Sequence, residues 1–75
     1  MNELLEILKS LKPGVDFEGN KTLVDSQVID SLDIITFISE ITENFDVDIP
    51  YDEITPENFN SVEAMWALIE RLKEE

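Results

Sequence analysis

The stretch Asp30-Ser31-Leu32-Asp33-Ile34-Ile35-Thr36-Phe37-Ile38-Ser39-Glu40-Ile41-Thr42-Glu43-Asn44-Phe45 reads as one amphipathic helix. Ile34, Phe37, Ile38, Ile41 and Phe45 fall at i, i+3, i+4, i+7 and i+11, a single apolar stripe along a helix. Asp30, with Asp33 three residues on, has the form of a capping box with Asp in the usual Glu position. The stripe is rich in β-branched residues, whose helix propensity is modest, so packing against other elements must hold it.

Upstream, Leu4, Ile7, Leu8 and Leu11 make a second helical stripe over residues 2–11. Asn2 is its candidate cap, Glu3 lies in the first turn, and Lys9 and Lys12 lie near the C-terminal end, where cations suit the helix dipole. Pro13-Gly14 stops this helix. Residues 13–29 follow as a long connection, which in a small domain is expected to be functional or pinned by its own side chains. Val15, Phe17, Leu23, Val24, Val28 and Ile29 are the candidate pins.

Downstream, Pro50 breaks helical periodicity within residues 46–55. Thr55-Pro56-Glu57-Asn58-Phe59 reads as an N-cap, a proline at the first helical position and one short turn. Asn60 and Glu63 form another capping-box candidate, and Val62, Met65, Trp66, Ile69 and Leu72 stripe a last helix, with Arg71 and Lys73 near its end. No internal repeat is present, and no alternation is long enough for a strand. The expectation is an all-α fold: a single domain over 1–75, three main helices plus one short helix, packed as an antiparallel-type bundle.

The 75 residues include 5 Lys+Arg and 18 Asp+Glu, a formal net charge of −13, with no His and no Cys. Nucleic-acid binding needs a cationic face for phosphates, and an anionic membrane surface makes the same demand, so both are excluded as partners. Ser–His–Asp and Cys–His catalysis lack their base, and disulfides and Cys/His zinc sites lack their atoms. No apolar run approaches the ~18 residues of a membrane span. Met1-Asn2-Glu3 is acidic where a signal peptide is basic, which makes the cytoplasm the expected compartment. Asp46, Asp48, Asp52 and Glu53 invite a calcium-loop reading, but Pro50 and Tyr51 stand where such a loop needs an oxygen ligand and a glycine. The carboxylates read as a solvated surface, with no catalytic pair and no metal site singled out among them.

One constellation has specific chemistry. Ser31 lies in the first turn of the central helix, so its hydroxyl faces solvent where free backbone N–H groups and the helix dipole favour an anion such as a phosphate ester. Leu32 and Ile35 are apolar, lie off the core stripe and flank Ser31, which leaves an apolar spot suited to docking. Taken alone, Asp and Ser at these positions are ordinary helix-start residues.

They do not stand alone. Asp30-Ser31-Leu32-Asp33 is followed by Asn44-Phe45-Asp46-Val47-Asp48-Ile49-Pro50, by Ile54-Thr55-Pro56-Glu57-Asn58-Phe59, and by Ser61-Val62. In that order and spacing, from about Leu4 to Leu72, the chain resembles the acyl carrier protein superfamily, the phosphopantetheine-binding four-helix carriers. The resemblance implies a four-helix bundle with a long loop between its first two helices. It implies that Ser31 receives 4′-phosphopantetheine from coenzyme A, installed by a separate phosphopantetheinyl transferase, with Asp30, Leu32 and Asp33 around the attachment point. The arm's thiol would then hold an acyl or aminoacyl group as a thioester. The missing His and Cys fit, because the transferase brings the base and the arm brings the thiol.

A carrier of this kind is not an enzyme. Its implied partners are the transferase and an acyl- or aminoacyl-adenylating ligase or other acyl-transfer enzyme, docking on Leu32, Ile35, Ser39 and Glu43. A monomer is expected. The rival reading is a small acidic helical protein-interaction domain without a prosthetic group.

Three departures bear on the details. Gln27 and Val28 stand where the family often has Gly, so the loop's entry to Ser31 is expected to differ. The central helix offers Thr36, Ser39 and Thr42 beside Asp33, Glu40 and Glu43, a thinner acidic face than that of fatty-acid carriers. The segment before Ser31 and the Ile-Thr-Pro-Glu-Asn-Phe run look closer to free-standing D-alanyl or aminoacyl carriers. Large side chains on the inner face, including Met65 and Trp66, point to a small or polar cargo held outside the bundle.

Overall fold

Helices form where the apolar stripes lie. The structure is a computed structural model, and it describes residues 2–74. Its elements are α1 (Asn2–Leu11), α2 (Ser31–Phe45), α3 (Pro56–Phe59) and α4 (Val62–Glu74), with one 3-10 turn at Tyr51–Glu53 that the sequence pattern did not reveal. There is no strand among the described residues, so the fold is all-α, a four-helix bundle with a long connection between α1 and α2. The bundle packs α1 against both α2 and α4, with the short α3 lying on α4.

All four helices contribute to one core. Leu4 and Leu8 come from α1, Phe37, Ile41 and Phe45 from α2, Phe59 from α3, and Val62, Met65, Leu68 and Ile69 from α4. The β-branched stripe of α2 is held by this packing, as its modest propensity requires. Asp46 ends α2 in the left-handed conformation, φ 55°, and its N–H donates to the Thr42 carbonyl. Val47 then turns back into the core.

The α1–α2 connection is irregular but well anchored. Phe17, Leu23 and Ile29 are fully buried, and Val15, Val24 and Val28 are half-buried, so all six expected pins face the core. Phe17 meets Phe37 of α2 edge to face, with ring centroids 6.2 Å apart. Each such buried side chain contributes about 1.5–3 kcal/mol relative to exposure, which opposes the entropy lost in ordering the loop. Gly14, at φ 90°, supplies the left-handed turn out of α1.

Three readings of side chains are corrected. α1 begins at Asn2, so this residue lies in the helix rather than capping it. On α4, Leu68 takes the buried position that the stripe gave to Trp66, which is half-buried and stands edge-on to Phe45 at 5.7 Å. Helix register alone does not choose between them, because the stripe spans the same arc with either residue; packing turns the Leu68 side of α4 into the core and leaves the indole on the border. Finally, Asn60 and Glu63 do not form a box. Ser61 caps α4 by accepting from the Ala64 N–H at 3.0 Å, while Asn60 turns to the α1–α2 connection and Glu63 pairs with Lys21.

Candidate functional site

Asp30 sits in extended backbone at the N-cap of α2, φ −112° and ψ −174°. Its carboxylate accepts from the Asp33 N–H at 2.9 Å, and the Asp33 carboxylate accepts from the Asp30 N–H at 3.1 Å. This is the reciprocal box read from the sequence. Lys12 adds what the sequence reading missed. Rather than serving the dipole of its own helix, it crosses to α2 and donates to the Asp33 carboxylate. That hydrogen bond, together with the Asp30 contacts, holds the Asp33 carboxyl below its ordinary range. No sequence signal joins residues 12 and 33; only the fold brings them together.

The box leaves Ser31 with a distinct environment. Ser31 is the first residue of α2 and is exposed. Asp30 and Asp33 satisfy each other's N–H groups, so the first-turn N–H groups of Ser31 and Leu32 are the two left without helical partners. Capping is done by the flanking acids, so the serine hydroxyl is not used for it. Leu32 and Ile35 are 73% and 63% exposed, large values for apolar side chains. Ser39 and Glu43 are exposed as well, and helix geometry puts 32, 35, 39 and 43 on one face. The expected docking residues thus lie along one side of α2, with Ser31 at its N-terminal end, while Asp33 turns toward Lys12 of α1.

The approach to this end is tightly hydrogen-bonded. The Leu23 carbonyl accepts from both Val28 N–H (3.0 Å) and Ile29 N–H (3.1 Å). Gln27 adopts φ 62°, the left-handed region that a glycine would occupy without strain. The departure from glycine near this point is therefore borne by the glutamine backbone.

A small helical bundle with an exposed serine in the first turn of its central helix is the arrangement that the resemblance to carrier proteins implies. Comparison with known proteins makes that specific. The family model for the phosphopantetheine attachment site matches residues 2–69. Aminoacyl carrier protein 1 of Bradyrhizobium diazoefficiens is 31% identical over 72 residues, covering 91% of this chain and 79% of that protein. No solved structure gives a significant match. The chain belongs to the phosphopantetheine attachment family: it is a carrier protein, and its cofactor is covalently attached 4′-phosphopantetheine. A helical interaction domain without a prosthetic group is not favoured. Carrier proteins work with modifying transferases and acyl-transfer enzymes, and no helix among the described residues is long and apolar enough to cross a membrane.

Proposed function

We propose that Ser31 is the attachment site and that this single-domain, monomeric, cytoplasmic protein carries an aminoacyl or short acyl group on the arm without catalysing a reaction itself. The observation that carries the reading is the α2 start. The Ser31 hydroxyl is exposed beside two unpartnered N–H groups, at the positive end of a 15-residue helix. A phosphodiester there meets the negative charge of Asp30 and Asp33, and Lys12 on Asp33 offsets part of it. The group therefore fits the residues present, and when bound it supplies the thiol that the chain lacks. The chain's own part is to hold the hydroxyl in solvent and to offer Leu32, Ile35, Ser39 and Glu43 as a docking face to the transferase and to an adenylating ligase or other acyl-transfer enzyme.

Two observations support the small cargo. The relative's name specifies an aminoacyl group. The bundle interior is occupied by Phe17, Phe37 and Phe59, each 0–1% exposed, with Met65 and Leu68 beside them in the core cluster. Interiors packed in this way resist added volume, at a cost of about 1–3 kcal/mol when forced.

The test is intact mass after incubation with coenzyme A, magnesium and a broad-specificity phosphopantetheinyl transferase. One phosphopantetheine is gained by the native chain and none by Ser31→Ala; a gain in the variant would move the site elsewhere. Octanoyl and aminoacyl forms of the loaded protein then report on cargo. A large rise in melting temperature with octanoate, together with a shift in Trp66 emission, would show that the chain enters the core and would overturn the small-cargo reading.

A further inference from the structure

Asn60 occupies the junction between α3 and α4, where its backbone is helical, φ −72° and ψ −21°. Its hydrogen bonds all point across the molecule. The Asn60 carbonyl accepts from Leu23 N–H at 2.9 Å. Its side-chain oxygen accepts from Val24 N–H at 2.9 Å and from Asp25 N–H at 3.0 Å. Its side-chain nitrogen donates to the Asp25 carboxylate at 3.0 Å. One residue thus satisfies three consecutive N–H groups of the α1–α2 connection, a segment that has no helix or strand to satisfy them.

The same segment leads directly to α2. Leu23, held by Asn60 through its N–H, accepts through its carbonyl from Val28 and Ile29. Leu23 and Ile29 are both fully buried, so the connection is fixed at each end of this turn. Ile29 is followed by Asp30, the cap, and then by Ser31. A continuous path of backbone hydrogen bonds and buried anchors therefore runs from the α3–α4 junction to the residue before the cap.

We infer that Asn60 is a positioning residue for loading: it sets where the chain enters α2 and so where the Ser31 hydroxyl stands relative to an enzyme docked on the α2 face. This inference rests on Ser31 being the attachment site. It predicts a split in the kinetics. The docking face lies on α2 itself and stays intact when Asn60 changes, so KM for the carrier is kept. The reacting hydroxyl is displaced, so kcat falls, since small misplacements of a reacting atom are costly.

The experiment measures transfer of phosphopantetheine from coenzyme A by a broad-specificity transferase at a temperature where circular dichroism shows each chain folded. Asn60→Ala should lower kcat about tenfold with KM little changed. Asn60→Asp sets a carboxylate against Asp25 and should do the same. Asp25→Asn combined with Asn60→Asp restores a donor–acceptor pair and keeps an oxygen for the Val24 and Asp25 N–H groups, so it should recover most of kcat. If Asn60→Ala does not fold, the comparison of Asn60→Asp with the double variant decides. An unchanged kcat in folded Asn60→Ala, or a double variant no faster than Asn60→Asp, would overturn the inference. Ser31→Ala run alongside separates the two ideas: loading of that variant would remove the attachment site, and the positioning role with it, whatever the Asn60 variants do.

Discussion

Two helices of this bundle start beside a serine, and the two starts are built differently. At α4, Ser61 is itself the cap: its hydroxyl oxygen accepts from the Ala64 N–H, and the neighbouring Asn60 is turned away to hold the α1–α2 connection. At α2, capping passes to Asp30 and Asp33 on either side of the serine, with Lys12 bracing Asp33 from α1. Ser61 is half-buried and used in structure; Ser31 is exposed and left for chemistry. A serine near a helix start is thus not informative by its residue type. What matters is which neighbour satisfies the helix N–H groups.

The sharpest way to break this contrast is to remove each hydroxyl. Ser31→Ala should abolish the phosphopantetheine mass gain while leaving stability within about 0.5 kcal/mol, because its hydroxyl caps nothing. Ser61→Ala should load normally and lose about 1 kcal/mol in urea unfolding, the usual worth of a cap. Exchange of those two phenotypes would refute the comparison.

Next in size is the box itself. Asp30→Ala removes the acceptor for the Asp33 N–H and should cost about 1–2 kcal/mol of stability. If the loss equals that of Ser31→Ala, the acids are not doing the capping.

A smaller effect sharpens the role of Lys12. The folded Asp33 carboxyl titrates below its ordinary 3.8, so as pH falls the unfolded chain takes up the proton first. The stability that Asp33 contributes is whole above about pH 5 and is lost as pH falls through and below 3.8. The gap in unfolding free energy between the native chain and Asp33→Asn should therefore be constant near neutrality and close in acid. A gap that persists at pH 2 would show that the charge on Asp33 is not what matters.

Salt gives the smallest expected shift. Among the described residues Glu18, Asp33, Glu53 and Glu63 form ion pairs, with Lys9, Lys12, Arg71 and Lys21 respectively, and Lys73 lies over the Phe45 ring. Against a net charge of −13, relief of self-repulsion should outweigh weakening of these pairs, which are exposed or only part-buried. The melting temperature should rise by a few degrees in added salt or millimolar magnesium. A fall would mean that the pairs, Lys12–Asp33 foremost, matter more than the repulsion.

Much of this was legible beforehand. The α1 and α2 stripes, the stop at Pro13-Gly14 and the Asp30–Asp33 box follow from local rules, because helix periodicity and first-turn capping act over three or four residues, and the pins of the connection were legible from their apolar character alone. The α4 stripe was only partly legible. Its period admitted both Trp66 and Leu68, and the choice depended on how α4 packs into the common core. The 3-10 turn at Tyr51–Glu53 is too short to carry a period.

By itself, then, the sequence determined the helices, the exposed serine beside Leu32 and Ile35, and the absence of any His or Cys to act in its place. Those properties are local or compositional. The tertiary structure decided the rest: Lys12 on Asp33 across 21 positions, and Asn60 on Val24 and Asp25 across 36 and 35. By local rules Asn60 was a candidate for the α4 cap. It was drawn elsewhere because Ser61 could satisfy that helix, whereas the N–H groups of the connection had no helix or strand of their own to satisfy them.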